Sequence, residues 1–243
     1  MILRVLAFLG FALLASMPTH AAMAQGCGTN NPNCIVPTRP AGDNTNAAAS
    51  TAFVSSNAVP RASNNAQLNA LPSTAASAIV RLGYATLGDS PPATYTPSTT
   101  CPYNGGVADG GSCVATSDGQ FWVLVYGQQQ DVRIWGVKGD GVTNNTTQGN
   151  YAIADATDLF WPPGTYKGNF VATNKSNFTF EGAGWQTSIV PYSTSLDALD
   201  VNGGNFSHYK NFLLNGPGTA VGSTSGIVLS STTSKSNTEH DFF

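Results

Sequence analysis

The stretch DVRIWGVKGDGVTNNTTQGNYAIADATDLFWPPGTY, residues 131–166, decides the fold. It contains two glycine-bearing motifs, Lys-Gly-Asp-Gly at 138–141 and Pro-Pro-Gly-Thr-Tyr at 162–166. Glycine permits backbone conformations that a side chain disfavours, so we expect Gly139 and Gly164 to occupy tight turns. We interpret the Lys-Gly-Asp-Gly motif as structural rather than catalytic, and the Pro-Pro-Gly-Thr-Tyr motif as a turn into the next strand.

Between these motifs the sequence predicts a short helix followed by a strand. Asn and Thr residues at 143–147 offer several helix N-caps. Tyr151–Ala154 is predicted to form a helix of one or two turns, and Leu159–Trp161 is predicted to form a strand. Further strands are predicted downstream at 177–182, 210–216 and 238–243. This loose repeat, punctuated by Asn and Gly, favours the first coils of a solenoid over a β-sandwich with short hairpins.

The order of these elements resembles the opening of the pectate-lyase-like superfamily, which includes phage tailspikes and depolymerases. Its members share a strand, a K-G-D-G-V-T-D-D-T turn, a capping helix and an F-P-P-G-x-Y turn. The resemblance implies an all-β fold: a right-handed parallel β-helix whose N-terminal end is plugged by a helix, because the end of a stack of coils must be covered. It covers residues 131–243, room for only a few coils. No polar cap precedes Phe243, so we expect an N-terminal portion of a longer β-helix, or a second chain over the end.

The chain departs from the family pattern at one turn. Asn144 and Asn145 stand where the family usually has aspartates. Asparagine still caps a helix, so the fold is expected to survive. A carboxylate role is not expected at these two positions, because asparagine has no carboxyl group.

The N-terminus predicts export. Residues 1–24 have the form of a secretory signal peptide, with Arg4 in the n-region, an apolar run that is short for a bilayer span, and Ala22-Met23-Ala24 as the cleavage site. After its removal the mature chain is expected to be secreted, periplasmic or at the cell surface, with no membrane segment.

Four cysteines agree with an oxidising compartment. Their close spacing favours two local disulfides, Cys27 with Cys34 and Cys101 with Cys113, although sequence alone leaves three connectivities open. Zinc is a weaker alternative, because neither pair has the spacing of a zinc knuckle and no histidine stands nearby.

Two segments precede the β-helix. Residues 25–77 are rich in Ala, Asn, Ser and Pro and are interpreted as a leader or stalk. Part of it, 37–54, resembles a segment of phage tail-fibre proteins. Residues 78–130 are interpreted as a small β-hairpin module, which resembles the module preceding the β-helix in many phage tailspikes. Only 9% of all residues are charged and no basic cluster occurs, so a nucleic-acid partner is not expected.

No catalytic set of the superfamily is visible. The hydrolases use paired carboxylates, and the nearest approach to a pair is Asp197 with Asp200, which three-residue spacing on a strand would place on opposite faces. The lyases use calcium and a basic residue, and the candidates that remain are His208, His240 and scattered lysines. We therefore name no cofactor or metal, and calcium enters only through the resemblance. Aromatic residues that could stack on sugar rings are Trp161, Trp185 and Tyr192.

The sequence thus predicts a secreted, polysaccharide-associated β-helix protein that resembles pectate lyases and depolymerases. The resemblance implies a polysaccharide partner and allows a homotrimer. Whether the chain is an enzyme stays open at this point. The alternatives are a non-catalytic glycan-binding fibre or surface protein, and a truncated, inactive fragment.

Overall fold

The computed structural model describes residues 59–193, 195–215, 227–230 and 240–242. The predicted signal peptide, Cys27, Cys34 and the leader up to residue 58 lie outside this part of the chain. None of the helices among the described residues is long and apolar enough to cross a membrane.

The first part of the described chain forms a five-stranded sheet. Its strands pair in the order β1-β2-β3-β5-β4, with β1 parallel to β2 and the other pairs antiparallel. The strands are β1 (Arg61–Ala62), β2 (Ile79–Arg81), β3 (Ala93–Ser98), β4 (Cys113–Ala115) and β5 (Phe121–Leu124), and a short helix α1 (Asn65–Asn69) follows β1. We call this sheet with α1 the β module. It draws β1 and α1 from residues that were predicted to belong to the leader.

The remaining strands form three parallel sheets, which are the faces of a β-helix. Face 1 consists of β6 (Gln130–Asp131), β8 (Asp158–Trp161), β11 (Thr179–Gly182), β14 (Ser207–Lys210) and β17 (His240–Phe242). Face 2 consists of β7 (Asp140–Asn144), β9 (Gly164–Lys167), β12 (Thr187–Val190) and β15 (Leu213–Leu214). Face 3 consists of β10 (Phe170–Thr173), β13 (Leu199–Asn202) and β16 (Ile227–Ser230). The chain visits the faces in turn, so the predicted parallel β-helix of few coils is confirmed.

A helix stands where the first coil would place its strand on face 3. After β6 and β7 the chain forms α2 (Thr146–Asp155), which packs against β10. The helix buries Ala152 and Ile153. It covers the apolar end of the coil stack, which is the predicted capping role. At ten residues it is longer than the sequence suggested.

Aromatic side chains fill the interior of the coils. Trp161 is fully buried, and its ring centroid lies 4.7 Å from that of Phe180 on the next coil. Tyr166 and Phe170 contact the same indole ring at 5.1 and 4.9 Å. Since Trp161 forms the centre of this core, it is not available to stack on a sugar.

The two motif glycines meet each other across face 2. A β-carbon on Gly164 would lie 2.8 Å from both the α-carbon and the carbonyl oxygen of Gly139. The backbone N–H of Thr165 donates to that carbonyl at 3.0 Å. Gly139 was expected to occupy a turn conformation. In the structure, glycine is needed there because the backbones of Gly139 and Gly164 approach each other closely. Gly141 is the glycine of its motif with a positive φ, +74°.

The side chain of Asn145 was expected to cap the helix, but it makes no capping hydrogen bond. It is buried, and its side-chain oxygen accepts from the Lys138 backbone N–H at 2.8 Å while its amide donates to the Lys138 carbonyl at 2.9 Å. A carboxylate could make only the first of these bonds. The two hydrogen bonds of Asn145 thus close the turn before β7.

One of the predicted strands is divided in the structure. The segment 210–216 is not a single strand, because Asn211 has a φ of +60° and separates β14 from β15. In the parallel ladder of face 1, Phe180 pairs with Leu159 on one side and Tyr209 on the other.

Candidate functional site

Two features of the described residues have the character of a functional site: a cleft at the junction of the β module with the β-helix, and exposed aromatic side chains at the β-helix corners. The junction cleft has a volume of about 210 Å³. It is lined by Tyr103, Tyr126, Gly127, Gln128, Gln130, Asp155, Thr157 and Asp158.

The β module forms one wall of this junction cleft. The Cys101–Cys113 disulfide, which confirms one of the two predicted pairings, closes the loop that carries Tyr103. The rings of Tyr103 and Tyr126 lie 5.1 Å apart between centroids. Their paired rings give the junction cleft an aromatic wall beside the amide groups of its glutamines.

The β-helix supplies the carboxyl groups of the junction cleft. Asp155 is the last residue of α2 and Asp158 is the first of β8. Burial, followed by the neighbouring carboxyl of Asp109, raises the pKa of Asp155 to about 7.

A second pair of carboxylates lies on face 1, next to the junction cleft. The side-chain amide of Gln129 donates to Asp158 and to Glu181, each at 3.1 Å. Burial alone would raise the pKa of Glu181, but hydrogen bonds from Gln129, Lys210 and Asn211 outweigh it and hold the pKa below its ordinary value. This pair was not predicted from the sequence, because the register that sets β8 beside β11 is not apparent without the fold.

The structure does not bring the three sequence-predicted candidates together. Asp200 lies on β13 in face 3, and Asp197 precedes that strand with its backbone carbonyl accepting from Asn169 at 2.8 Å. His208 is exposed on β14 in face 1, where its register partners are Thr179 and Asp241. Their different faces separate His208 from both aspartates.

Among the residues that the structure describes, no group of three or more His, Cys, Asp or Glu side chains is arranged to hold a metal ion.

Trp185 is the most exposed of the large apolar side chains among the described residues, at 86%. It lies in the corner between β11 and β12. Thr187 fixes this corner by accepting from the Ala183 backbone N–H and donating to the Trp161 carbonyl, both at 2.8 Å. The next residue after Ala183, Gly184, donates to the Asn211 carbonyl at 2.7 Å. The corner therefore holds the indole in solvent on a rigid base.

Tyr192 lies beyond the other end of β12. It is half exposed, and the ammonium group of Lys167 lies 5.7 Å from its ring centroid. Trp185 and Tyr192 therefore flank one strand of face 2, and we call this surface the aromatic flank. Both residues were named from the sequence as aromatic candidates.

Comparison with solved structures identifies the fold. The chain is similar to a capsular polysaccharide depolymerase, the tailspike gp49 of Acinetobacter baumannii bacteriophage Fri1, with a TM-score of 0.56 and 16% identity over 76% of this chain and 42% of the other. It is similar to the enzymatically active domain of tailspike protein 2 from bacteriophage CBA120, with a TM-score of 0.54 and 15% identity over 70% and 26% of the two chains. It is also similar to WceF of Pantoea stewartii, a glycan biofilm modifying enzyme, with a TM-score of 0.53 and 16% identity over 72% and 28%.

These comparisons confirm a tailspike-like parallel β-helix, as the resemblance in the sequence had implied. The chain spans between about a quarter and two fifths of the length of these proteins. No family model matches it, and no curated protein matches it.

Proposed function

We propose that the chain is an exported polysaccharide-binding protein that holds a glycan along the aromatic flank of its β-helix. The observation that carries this proposal is the exposure of Trp185 on a corner fixed by hydrogen bonds. Large aromatic side chains are costly to leave in water, and a sugar ring offers an apolar face on which an indole can stack. The named activities of the structural neighbours support a polysaccharide as the class of ligand.

Neighbouring groups of the aromatic flank suit a hydrated, acidic or neutral glycan. Lys167 supplies a cation beside Tyr192, and it faces outward on β9 while Tyr166 points into the core. A rigid aromatic platform binds with little loss of side-chain entropy. The site therefore favours an extended chain of sugars that crosses β12 between the two aromatic residues.

A binding experiment tests this proposal with matched variants. Purified protein is run by affinity electrophoresis through gels that contain bacterial capsular or pectic polysaccharides. We expect retardation in at least one gel, and a loss of about tenfold in affinity for Trp185→Ala, the order that one stacking contact supplies.

The control substitution is Val142→Ala, which removes an exposed apolar side chain of face 2 away from the aromatic flank. This variant should migrate like the wild type. Equal retardation of the wild type and Trp185→Ala would refute the site, and no retardation in any gel would refute the function.

The junction cleft favours a second candidate function, hydrolysis of a glycosidic bond. Such hydrolysis needs a carboxylic acid that protonates the leaving oxygen and a second carboxyl group that activates water. Asp155, with its raised pKa, has the character of the acid, and Asp158 lines the same cleft. In this reaction the anomeric carbon loses its bond to the protonated oxygen and gains one to the water oxygen, whose proton passes to Asp158.

Reducing-end release distinguishes this candidate from binding alone. The wild type and Asp155→Asn are incubated with the polysaccharides that the electrophoresis selects. New reducing ends from the wild type and not from Asp155→Asn would support cleavage. Retardation without release by either protein would leave binding as the function.

A further inference from the structure

At the junction between the β module and α2, the carboxyl groups of Asp109 and Asp155 are neighbours. Asp109, in the disulfide-closed loop, is 8% exposed. Its Oδ1 accepts from the backbone N–H groups of Gly111 and Cys113 at 2.7 and 3.1 Å. Its Oδ2 is buried and has no donor among the described residues. The carboxyl group of Asp155, at the end of α2, interacts with this carboxyl group.

Two carboxylates cannot hydrogen bond to each other, so this contact requires a proton between them. With Asp155 protonated, its hydroxyl can donate to Asp109 and satisfy an oxygen whose isolation would otherwise destabilise the fold. When Asp155 is ionised, this hydrogen bond is lost and the two buried carboxyl groups face each other without a proton between them.

The other polar groups around Asp155 hold it in this position. Ser112 donates to Asp155 at 2.5 Å and accepts from the indole N–H of Trp135 at 3.0 Å. The Tyr126 hydroxyl lies 2.8 Å from the same Ser112 oxygen. The network therefore runs from the β module through Ser112 to the end of α2.

Two cations among the described residues act on the pair electrostatically, Lys175 on Asp155 and Arg81 on Asp109. The ammonium group of Lys175 donates to the carbonyls of Ala154 and Ala156 at 3.0 and 2.8 Å. The Arg81 guanidinium donates to the Asn65 side chain and to the carbonyls of Gly110 and Ile134. The phenols of Tyr84 and Tyr95 also face Asp109. The other titratable groups that face Asp155 are the phenols of Tyr103 and Tyr126, together with Asp158 in the same cleft.

We propose that Asp109 and Asp155 form a proton-operated clamp between the β module and the β-helix, closed while Asp155 is protonated and loosened when Asp155 is ionised. The junction cleft lies at this contact, so the same proton controls how firmly its tyrosine wall is held against its carboxyl wall. The clamp does not depend on any glycan, so the result of its test is independent of the result for the proposed function.

The direction of the pH dependence follows from proton counts. In the unfolded chain Asp155 loses its proton near the ordinary value of 3.8, whereas the folded protein keeps it to about 7. Between these values the folded state binds more protons, so stability falls as pH rises and levels off above about 7. The stabilisation that the Asp155 proton supplies is complete only below the pKa of Asp155 in the unfolded chain, 3.8.

The test measures the melting temperature of the wild type and of Asp155→Asn between pH 5 and 8.5. The amide that this substitution introduces can donate to Asp109 at every pH, as the protonated carboxyl does. We expect the wild type to lose several degrees across this range. Asp155→Asn should lose clearly less, and it should be at least as stable as the wild type at pH 8.5.

Asp158→Asn is the matched control, because it removes a carboxyl group from the same cleft and leaves the clamp intact. It should follow the wild-type curve. If Asp155→Asn keeps the wild-type pH dependence, the clamp is refuted.

If Asp155→Asn folds poorly, a second measurement on the wild type still tests the proposal. Carboxyl carbon NMR of the wild type should show Asp155 titrating with a midpoint near 7. A midpoint near the ordinary value of 3.8 would overturn the proposal without any variant.

Discussion

Replacing Gly164 with alanine should separate the two motifs that define the fold. The new methyl carbon would lie 2.8 Å from two backbone atoms of Gly139, a distance that real β-carbons do not show. Backbone atoms cannot swing aside like the end of a side chain, so β7 and β9 must move apart. Overpacking of this kind costs about 2–3 kcal/mol, which corresponds to about 4–12 °C in melting temperature for a chain of this size.

The assay is thermal unfolding followed by circular dichroism, with two comparison variants. Gly139→Ala should cost less, since its methyl carbon would lie 3.0 Å from Gly164 and otherwise touch the ring of Tyr166 at 3.1 Å. Gly127→Ala is the control, because the nearest atom is the end of the Gln130 side chain at 3.3 Å. If Gly164→Ala melts within about 1 °C of the wild type, the close approach of the two motifs is not what holds face 2 together.

Three further substitutions test other parts of the fold by the same unfolding assay. Cys113→Ser should lower stability by about 2–3 kcal/mol, because it opens the loop closed with Cys101, and reductant should bring the wild type to the same level. Trp161→Ala should cost about 3–5 kcal/mol, since it removes the centre of the aromatic core, and a smaller loss would show that the coils repack. Phe206→Asn should raise stability by about 0.5–1 kcal/mol, because Phe206 has a φ of +54° that asparagine tolerates better; a loss would show that its ring packs usefully.

Much of the fold was predictable because its signals are local. The two turn motifs, the capping helix and the strand at Leu159–Trp161 each depend on residues close together in sequence. Their order excluded most other architectures. The helix came out longer than predicted, since contacts with β10 stabilise residues whose own helix propensity is modest.

The register of the coils was not predictable from the same signals. The predicted strand at 210–216 is divided into β14 and β15 by the positive φ at Asn211, and the ladder partner of Phe180 is Tyr209. Asparagine tolerates this conformation, but its presence alone does not indicate where a strand ends.

The candidate sites were predictable only in part, for the same reason. Trp185 and Tyr192 could be named as exposed aromatic candidates by residue type, and Trp161 could not be told apart from them without its partners. Asp155 and Asp158 were visible in the sequence, but their roles depend on a cleft formed with the β module. Contacts between distant segments, here Asp109 with Asp155, carry no sequence signal in a single chain.

Quenching of tryptophan fluorescence tests the central claim most directly. Of the four tryptophans, Trp122, Trp135 and Trp161 are fully buried and Trp185 is exposed, so acrylamide should quench mainly Trp185. A bound polysaccharide that crosses the aromatic flank should lower the quenching constant of the wild type and leave that of Trp185→Phe unchanged. A polysaccharide that binds with undiminished quenching of Trp185 would contradict the account.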